Sequence, residues 1–462
     1  MRNDMLVVVL SLSVSIGLCA CGSTNNQNPN PGKSADAGSP DGGPGAGDDT
    51  GKSSVSRAPL DWSSMIASSE TDVPHGITIG SNGKLYLTGD TDGDIAASTG
   101  EGSTDAFIVR RSAQGKPEWS FILGTNEVDQ AWEVAAHPSG DIYMAASMGG
   151  SVENQDYGGG EWDAALARFD HEVGLYWVRL IGTGGWDLGH GVAVDDNGDI
   201  YLAGNVGGSV AGRNYRGGPQ DGFVAKFNER GERQWTRLIG SSGEDGLASV
   251  TAGSNGNIYV TGAAGDDIEN ETHAGGESDV LVASFDASGN RRWMRVLGSG
   301  DNEIANELVV DGSDNLYITG ATSGNLEGQS FTGEGDAGFV AKLKASSGNL
   351  QWMRLYKESV DHHAQGIAVD GAGAVYSAGG IAPTTKSHTD ADQPGLFDGS
   401  LVKFGASGQR EWLKRIGTDG FDSLSDVHVR DSGEVVVTGW TDRAFGTEFN
   451  SGGFDGFVAG VQ

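Results

Sequence analysis

From residue 60 onward, short apolar runs alternate with polar, glycine-rich breaks, and the runs come in sets of four. One set is Trp177-Val-Arg-Leu-Ile-Gly182, Gly191-Val-Ala-Val194, Asp199-Ile-Tyr-Leu-Ala-Gly204 and Asp221-Gly-Phe-Val-Ala-Lys-Phe227. These runs are rich in β-branched and aromatic residues, too short for helices and closed by turn residues, so they predict strands. The break after the second run, Asp195-Asp-Asn-Gly198, predicts a tight hairpin with a residue at positive φ. Asn82-Gly83 and Asn255-Gly256 stand at the equivalent place, with Ser139-Gly140 and Ser432-Gly433 as variants.

Tryptophan marks the period. Trp62, Trp119, Trp177, Trp235, Trp293, Trp352 and Trp412 are separated by 57, 58, 58, 58, 59 and 60 residues. Four antiparallel strands per period, repeated around an axis, is the signature of a propeller blade. We label the strands of a blade A to D from the axis outward, with the tryptophan run as D. The first D run, Leu60 to Ile66, precedes any A run, and the last C run, Gly453 to Ala459, has no D run after it. The expected fold is therefore all-β, a seven-bladed β-propeller of four-stranded antiparallel blades, closed by an N-terminal strand that completes the last blade. Closure removes sheet edges that would invite aggregation.

Composition agrees. Glycine supplies 77 of 462 residues, more than twice its usual share of about 7%, without collagen's strict period. The recurring elements Asp-Gly-Phe-Val-Ala-Lys-Phe, Ser288-Gly-Asn, Trp-x-Arg-x-x-Gly, Gly366-Ile-Ala-Val-Asp and Asn257-Ile-Tyr-Val-Thr-Gly262 resemble the bacterial seven-bladed propeller repeats known as SBBP repeats. The resemblance covers roughly residues 60 to 462 and implies architecture. It leaves function open, since such repeats occur in varied exported proteins. The sixth unit departs most: Tyr356-Lys-Glu-Ser replaces Ile-Gly-Thr, and a long insert follows Gly380.

Ahead of the repeats, Met5 to Leu18 is an apolar run too short to span a bilayer and suited to a signal peptide. It ends in Leu18-Cys19-Ala20-Cys21, which resembles a bacterial lipobox. The resemblance implies cleavage after residue 20 and acylation of Cys21. Residues 21–56, dominated by Gly, Pro, Ser, Asn and Asp, are expected to form a disordered tether, and residues 57–462 the propeller. Gly22 stands where an aspartate would resemble an inner-membrane retention signal, so the expected address is the outer membrane, on its periplasmic side or at the cell surface. With two cysteines in all, and one predicted to leave with the signal, no disulfide framework is available.

Strand directions place the B–C loops and the D-to-A connections on one face, and the A–B and C–D turns on the other. The first face carries the long loops, such as Asn205 to Gln220, and is where binding is expected. The chain is strongly acidic, 63 Asp and Glu against 30 Lys and Arg, a field that repels nucleic acid and favours cations or basic partners. Two families of acids follow the repeat. Asp72, Asp129, Asp187, Asp245, Glu303, Asp361 and Asp422 precede or open strand A; Asp105, Asp163, Asp221, Asp279, Asp336, Asp398 and Asp455 open strand C. Carboxylates at strand starts can accept backbone N–H groups, which predicts a structural role. The competing role is calcium binding, which needs several hard oxygens at one locus. Asp90-Thr-Asp92-Gly-Asp94 places acids at alternate positions but lacks the EF-hand spacing.

Near the start of strand A, His75, Glu133, His190, Glu307 and Asp426 break the repeat at positions other blades fill with Gly, Ala or Ser, and His362 and His363 lie close by. They form a candidate channel-mouth site for a metal or acid–base chemistry. No G-x-S-x-G, H-E-x-x-H or P-loop accompanies them. The expected function is a non-enzymatic binding or scaffold module with no required cofactor, calcium being the cation its chemistry suits. It would meet an envelope or extracellular protein or glycan and touch the membrane only through lipid. The alternative is a propeller enzyme, a lyase or hydrolase acting on an extracellular polymer.

Overall fold

In the computed structural model, residues 57–462 are described except 97, 101, 153–154, 171–173, 331–334, 359–360, 383–396, 447, 449 and 462. The expected signal peptide, Cys21 and the expected tether lie outside the described residues, as does most of the insert after Gly380. The described strands form seven four-stranded antiparallel sheets, with no helix among them. The third blade shows the plan: β10 (Leu188–Val194), β11 (Ile200–Val206), β12 (Asp221–Phe227) and β13 (Arg233–Ile239) pair in that order. The seventh blade closes the ring. Its β26 (Asp422–Val429), β27 (Val435–Thr441) and β28 (Asp455–Val461) are completed by β1 (Leu60–Ile66), with Ser63 opposite Ala459 and Met65 opposite Phe457.

The core lies between blades, because each sheet is apolar on both faces. Strands β11 and β12 are buried at every position. The buried side chains fall into clusters that each bridge two neighbouring blades; one joins Ile66, Val436 and Val458 of the seventh blade to Ile77, Leu87 and Phe107 of the first.

The tryptophan lattice has a mechanical explanation. In the second, third and fourth blades the D-strand tryptophan turns its indole N–H onto the C–D turn of the next blade: Trp177 to the Glu229 carbonyl (3.1 Å), Trp235 to Ala287 (3.1 Å) and Trp293 to Ala345 (2.8 Å), whereas Trp62 bonds the Glu434 carboxylate of its own blade. The arginine two residues on grips the same turn, Arg179 Nε reaching the Gly231 carbonyl at 3.0 Å and Arg237 Nε the Gly289 carbonyl at 2.6 Å. A glycine at positive φ makes room, since a Cβ on Gly231 would fall 2.9 Å from Arg179. Trp-x-Arg is thus a staple between blades on the short-turn face. On the opposite face the N–H of the strand-A acid bonds the carbonyl before the preceding blade's strand C in six blades, as from Asp187 to Trp162 (2.9 Å) and Asp245 to Gln220 (3.0 Å), and His362 supplies that N–H in the sixth blade.

The A–B hairpins add one detail to the expected tight turn. Gly198 takes φ 79°, and the loop runs from Asp195 to Asp199 and is organised by the Asp195 carboxylate. That group accepts the N–H of Asn197 and of Asp199 and the hydroxyl of Tyr201.

Candidate functional site

Strand A is the innermost strand of each blade, so one of its edges faces the channel and its N–H groups there need partners. Every strand A also carries a β-bulge, at His75, His190, Ala248, Asn306, Gln365 and Ser425 and, in the second blade, across Trp132 and Glu133. Glu307 and Asp426 follow the bulge and Glu133 ends it, midway along the strand, and each reaches into the next blade. Glu133 accepts the N–H of Val192 (3.1 Å), Glu307 that of Ile367 (2.5 Å) and Asp426 that of Ile77 (2.9 Å). The residue before each donor is a glycine, Gly191, Gly366 or Gly76, and it lets strand A of the following blade approach closely: a Cβ on Gly366 would meet Asp426 Cα at 2.6 Å.

These three carboxyls come from separate blades yet act on one another electrostatically, and Glu307 shares a hydrogen bond with Asp426. Burial, then the Asp426 charge, raises Glu133 and Glu307 well above the usual carboxyl range; burial pushes Asp426 up to about 7. A hydrogen bond between two carboxyls needs one proton, so the pair holds a proton near neutrality. Because the folded chain binds protons at these carboxyls more tightly than the unfolded chain, the stabilisation is present in acid and lost as pH rises above the ordinary carboxyl range, the Asp426 share of it through about 7. Asp426→Asn is therefore expected to flatten the fall in melting temperature between pH 5 and 8 and to stabilise the chain at pH 8 by about 2 kcal/mol. Parallel melting curves for variant and parent across that range would refute the proton-sharing assignment.

The histidines stand apart from the carboxyls. His75 stacks on Trp132 at 4.8 Å and bonds Asp90 through Nε2 at 3.1 Å. His190 meets the same indole edge-on at 5.1 Å, and its buried Nε2 has no hydrogen-bond partner. Burial lowers the His190 pKa to about 4, keeping the ring neutral. His362 is wholly enclosed against Tyr356 and Ser400. The five residues singled out from the sequence thus divide into a carboxyl cluster and two histidines on either side of Trp132.

Both families of repeated acids meet on the long-loop face, at the seven junctions between blades. The strand-A acid ties down the D-to-A loop. Asp187 accepts the N–H and hydroxyl of Thr183 and the N–H of Gly207; Asp129 and Asp245 bind Thr125 and Gly149, and Ser241 and Gly265, in the same way. Asp72 holds Ser68 and Thr91, Glu303 holds Ser299 and Thr322, and Asp422 holds Thr418. Asp361 accepts the N–H of Asp336. The strand-C acid anchors the B–C loop: Asp163, Asp221, Asp279 and Asp455 accept the N–H of Gly158, Arg216, Ala274 and Ser451. Asp105 packs on Gly124, Asp336 accepts the Ser323 hydroxyl, and Asp398 pairs with Arg57 and Arg415.

One grouping was not legible in the sequence. Asp336, Asp361 and His363 bring ligand atoms within 4.8 Å of one another, the single such trio of His, Cys, Asp or Glu found among the described residues. Lys357 acts electrostatically on both carboxylates. The trio spans two blades, and the signal for it was the replacement of a D-strand glycine by lysine. Asp90, Asp92 and Asp94 serve local contacts instead: Asp90 bonds His75, Asp92 the Thr104 hydroxyl, and Asp94 the N–H of Gly100.

Fold and site together define a seven-bladed β-propeller with an acid-paired junction between each two blades. Within it, residues 177–205, the D strand of the second blade with β10 and most of β11, match the family described as Beta-propeller repeat, SBBP. Among curated proteins, regulatory protein FlaEY of Caulobacter vibrioides is 27% identical over 262 residues, 50% of this chain and 27% of its own length. This chain thus matches about a quarter of that relative. Among solved structures, BamB from Moraxella catarrhalis is 13% identical, covering 87% of this chain and 99% of its own, at TM-score 0.40. A virginiamycin B lyase of Staphylococcus aureus is 10% identical, covering 86% and 98%, at TM-score 0.46.

Proposed function

We propose that the protein is a non-enzymatic binding or scaffold module, held at the outer membrane by a lipid on Cys21, that engages a basic envelope or extracellular protein through its long-loop face. The observation that supports this reading is charge asymmetry. Glu127, Asp156, Glu161, Asp267, Glu277 and Asp301 are exposed on the long-loop face, against Arg213, Arg216 and Arg443. The short-turn face mixes both signs, with Asp196, Glu232, Asp286 and Glu229 beside Arg230, Arg233, Arg292 and Lys116. An acidic surface of this kind steers cationic partners and makes association sensitive to salt.

Reversal of Asp156, Glu161, Asp267 and Glu277 to lysine is expected to weaken binding of a lysine-rich probe peptide at least about tenfold at low salt. Reversal of Asp196 and Glu232 on the other face should leave it nearly unchanged. Equal losses from both sets would defeat the face assignment, and saturable binding of a neutral envelope glycan, insensitive to either set, would replace protein by glycan as the partner. For the anchor, Cys21→Ala is expected to move the chain from the membrane to the soluble fraction; retention in the membrane would exclude lipid on that residue. The enzyme alternative draws its support from the proton-sharing Glu307–Asp426 pair. It requires a substrate to reach carboxyls that the channel wall encloses, Asp426 being 8% exposed.

A further inference from the structure

The seven junctions present the same pair of acids but differ in what lies against them, and the differences form an internal comparison. At the sixth junction, Asp398 and Asp422, the strand-C carboxylate is buried and receives two cations. Arg57 Nε stands 3.4 Å from Asp398 Oδ1, and Arg415 Nη1 stands 3.1 Å from Oδ2. Two positive groups thus face two carboxylates. At the fifth junction, Lys357 occupies the D-strand position that is glycine at residues 124, 182, 240, 298 and 417. Its charge acts on Asp361 and Asp336, and the Asp336 side chain is turned outward to 31% exposure. At the fourth, His273 Nε2 lies 4.0 Å from Asp279 Oδ1.

The second, third and seventh junctions, Asp163 with Asp187, Asp221 with Asp245 and Asp455 with Asp72, have none of these contacts, although Arg216 acts electrostatically on Asp221 at the third. Asp163, Asp221 and Asp455 are 0% exposed. In each, Oδ2 accepts one backbone N–H, at 2.5 to 2.6 Å, while the buried Oδ1 has no hydrogen-bond partner. The second and third carboxylates press on D-strand glycines, where a Cβ on Gly182 or Gly240 would fall 2.3 or 2.2 Å from Oδ1. The acid from the next blade brings further negative charge, and its own oxygens are taken up by backbone and hydroxyl donors. A buried carboxylate oxygen with no donor, in a junction that holds a second carboxylate, is a costly arrangement unless something positive sits against it.

We infer that the second, third and seventh junctions each bind a divalent cation of the calcium class at the free Oδ1 of Asp163, Asp221 and Asp455, in the role that Arg57 plays at Asp398. The chemistry selects the ion. The available ligands are hard oxygens with no imidazole or thiolate, which suits calcium better than a transition metal. Calcium also accepts irregular shells completed by backbone carbonyls and water, whereas magnesium demands near-ideal octahedra. A charge of two balances the acid pair as the two arginines do at the sixth junction. The sites lie on the long-loop face, but their occupancy is independent of any protein partner.

The test uses the chelator-stripped mature chain at pH 8 and constant ionic strength, titrated with calcium chloride alone. Saturable binding of about three ions per chain is expected, with the melting temperature raised by roughly 5 °C when calcium is well above Kd. Combining Asp163→Asn, Asp221→Asn and Asp455→Asn should abolish both the binding and the shift, while leaving the calcium-free chain at least as stable as the parent. Should that triple variant not fold, Asp163→Asn alone should lower the ion count by about one. Identical melting in calcium and in chelator would overturn the inference, as would unchanged binding by the variants. A melting temperature that rises on acidification but not with calcium would assign the neutralising role to a proton and would equally overturn it.

Discussion

Removal of residues 57–66 is expected to cost the chain its monomeric fold. β1 supplies the outer strand of the seventh blade and sits 396 residues before its neighbour in register, counting from Ser63 to Ala459. Within it Ile66 is 0% and Met65 7% exposed, and Ile66 belongs to the core between the seventh and first blades. Truncating Ile66 to alanine alone should cost about 3–4 kcal/mol, the usual range for a buried isoleucine. Deleting the whole strand removes that packing, the β1–β28 ladder and the Arg57 contacts with Asp398. The sum is comparable to the total stability of a typical domain, about 5–15 kcal/mol. It also bares the edge of β28, whose Phe457-Val-Ala459 run is buried in the intact ring; an uncovered apolar edge of this kind pairs with other chains. Size-exclusion chromatography should accordingly show aggregates or higher oligomers, and a monomer with parental melting would mean that the ring does not depend on β1.

The second large effect is expected at the strand-B glycines. Where strand A bulges, its backbone presses against strand B, and a Cβ on Gly204 would fall 1.8 Å from the Leu188 carbonyl oxygen. Gly89, Gly262, Gly320, Gly379 and Gly439 show the same clash, at 1.9 to 2.0 Å. Gly204→Val cannot be relieved by a rotamer change, because the obstacle is backbone, and should cost about 3 kcal/mol or more. Gly204→Ala should cost less, since Ala146 occupies this place in the second blade. Denaturant unfolding of the two variants checks both the size and the order; equal, small losses would show that the strands do not approach so closely.

Much of this architecture was readable from the sequence because a propeller repeats one local problem seven times. The tryptophan spacing, the Asn-Gly breaks and the unpaired first D run each carry information that survives without coordinates. What escaped was of two kinds. The bulges are invisible because one extra residue in Gly189-His-Gly191 leaves no mark on an apolar pattern this short. Contacts made by closing the ring are invisible because their partners are remote in sequence: Arg57 meets Asp398 across 341 residues, and Asp426 meets Ile77 across 349. Glu133, Glu307 and Asp426 could be picked out as departures from the repeat, but their convergence depends on that closure. The repeated acids were visible as a pattern, whereas the difference between Asp398 and Asp163 lies only in which junction has a cation within reach.

Every assignment of a loop to a face depends on β1 lying against β28. A cysteine pair tests this directly, because both natural cysteines, Cys19 and Cys21, precede the propeller. In a chain of residues 57–462 carrying Ser63→Cys and Ala459→Cys, which are register partners, mild oxidation is expected to give an intramolecular disulfide in nearly every molecule. The product should migrate faster on a non-reducing gel and melt at a higher temperature than its reduced form. Free thiols after oxidation, or disulfides only between molecules, would contradict the closed ring.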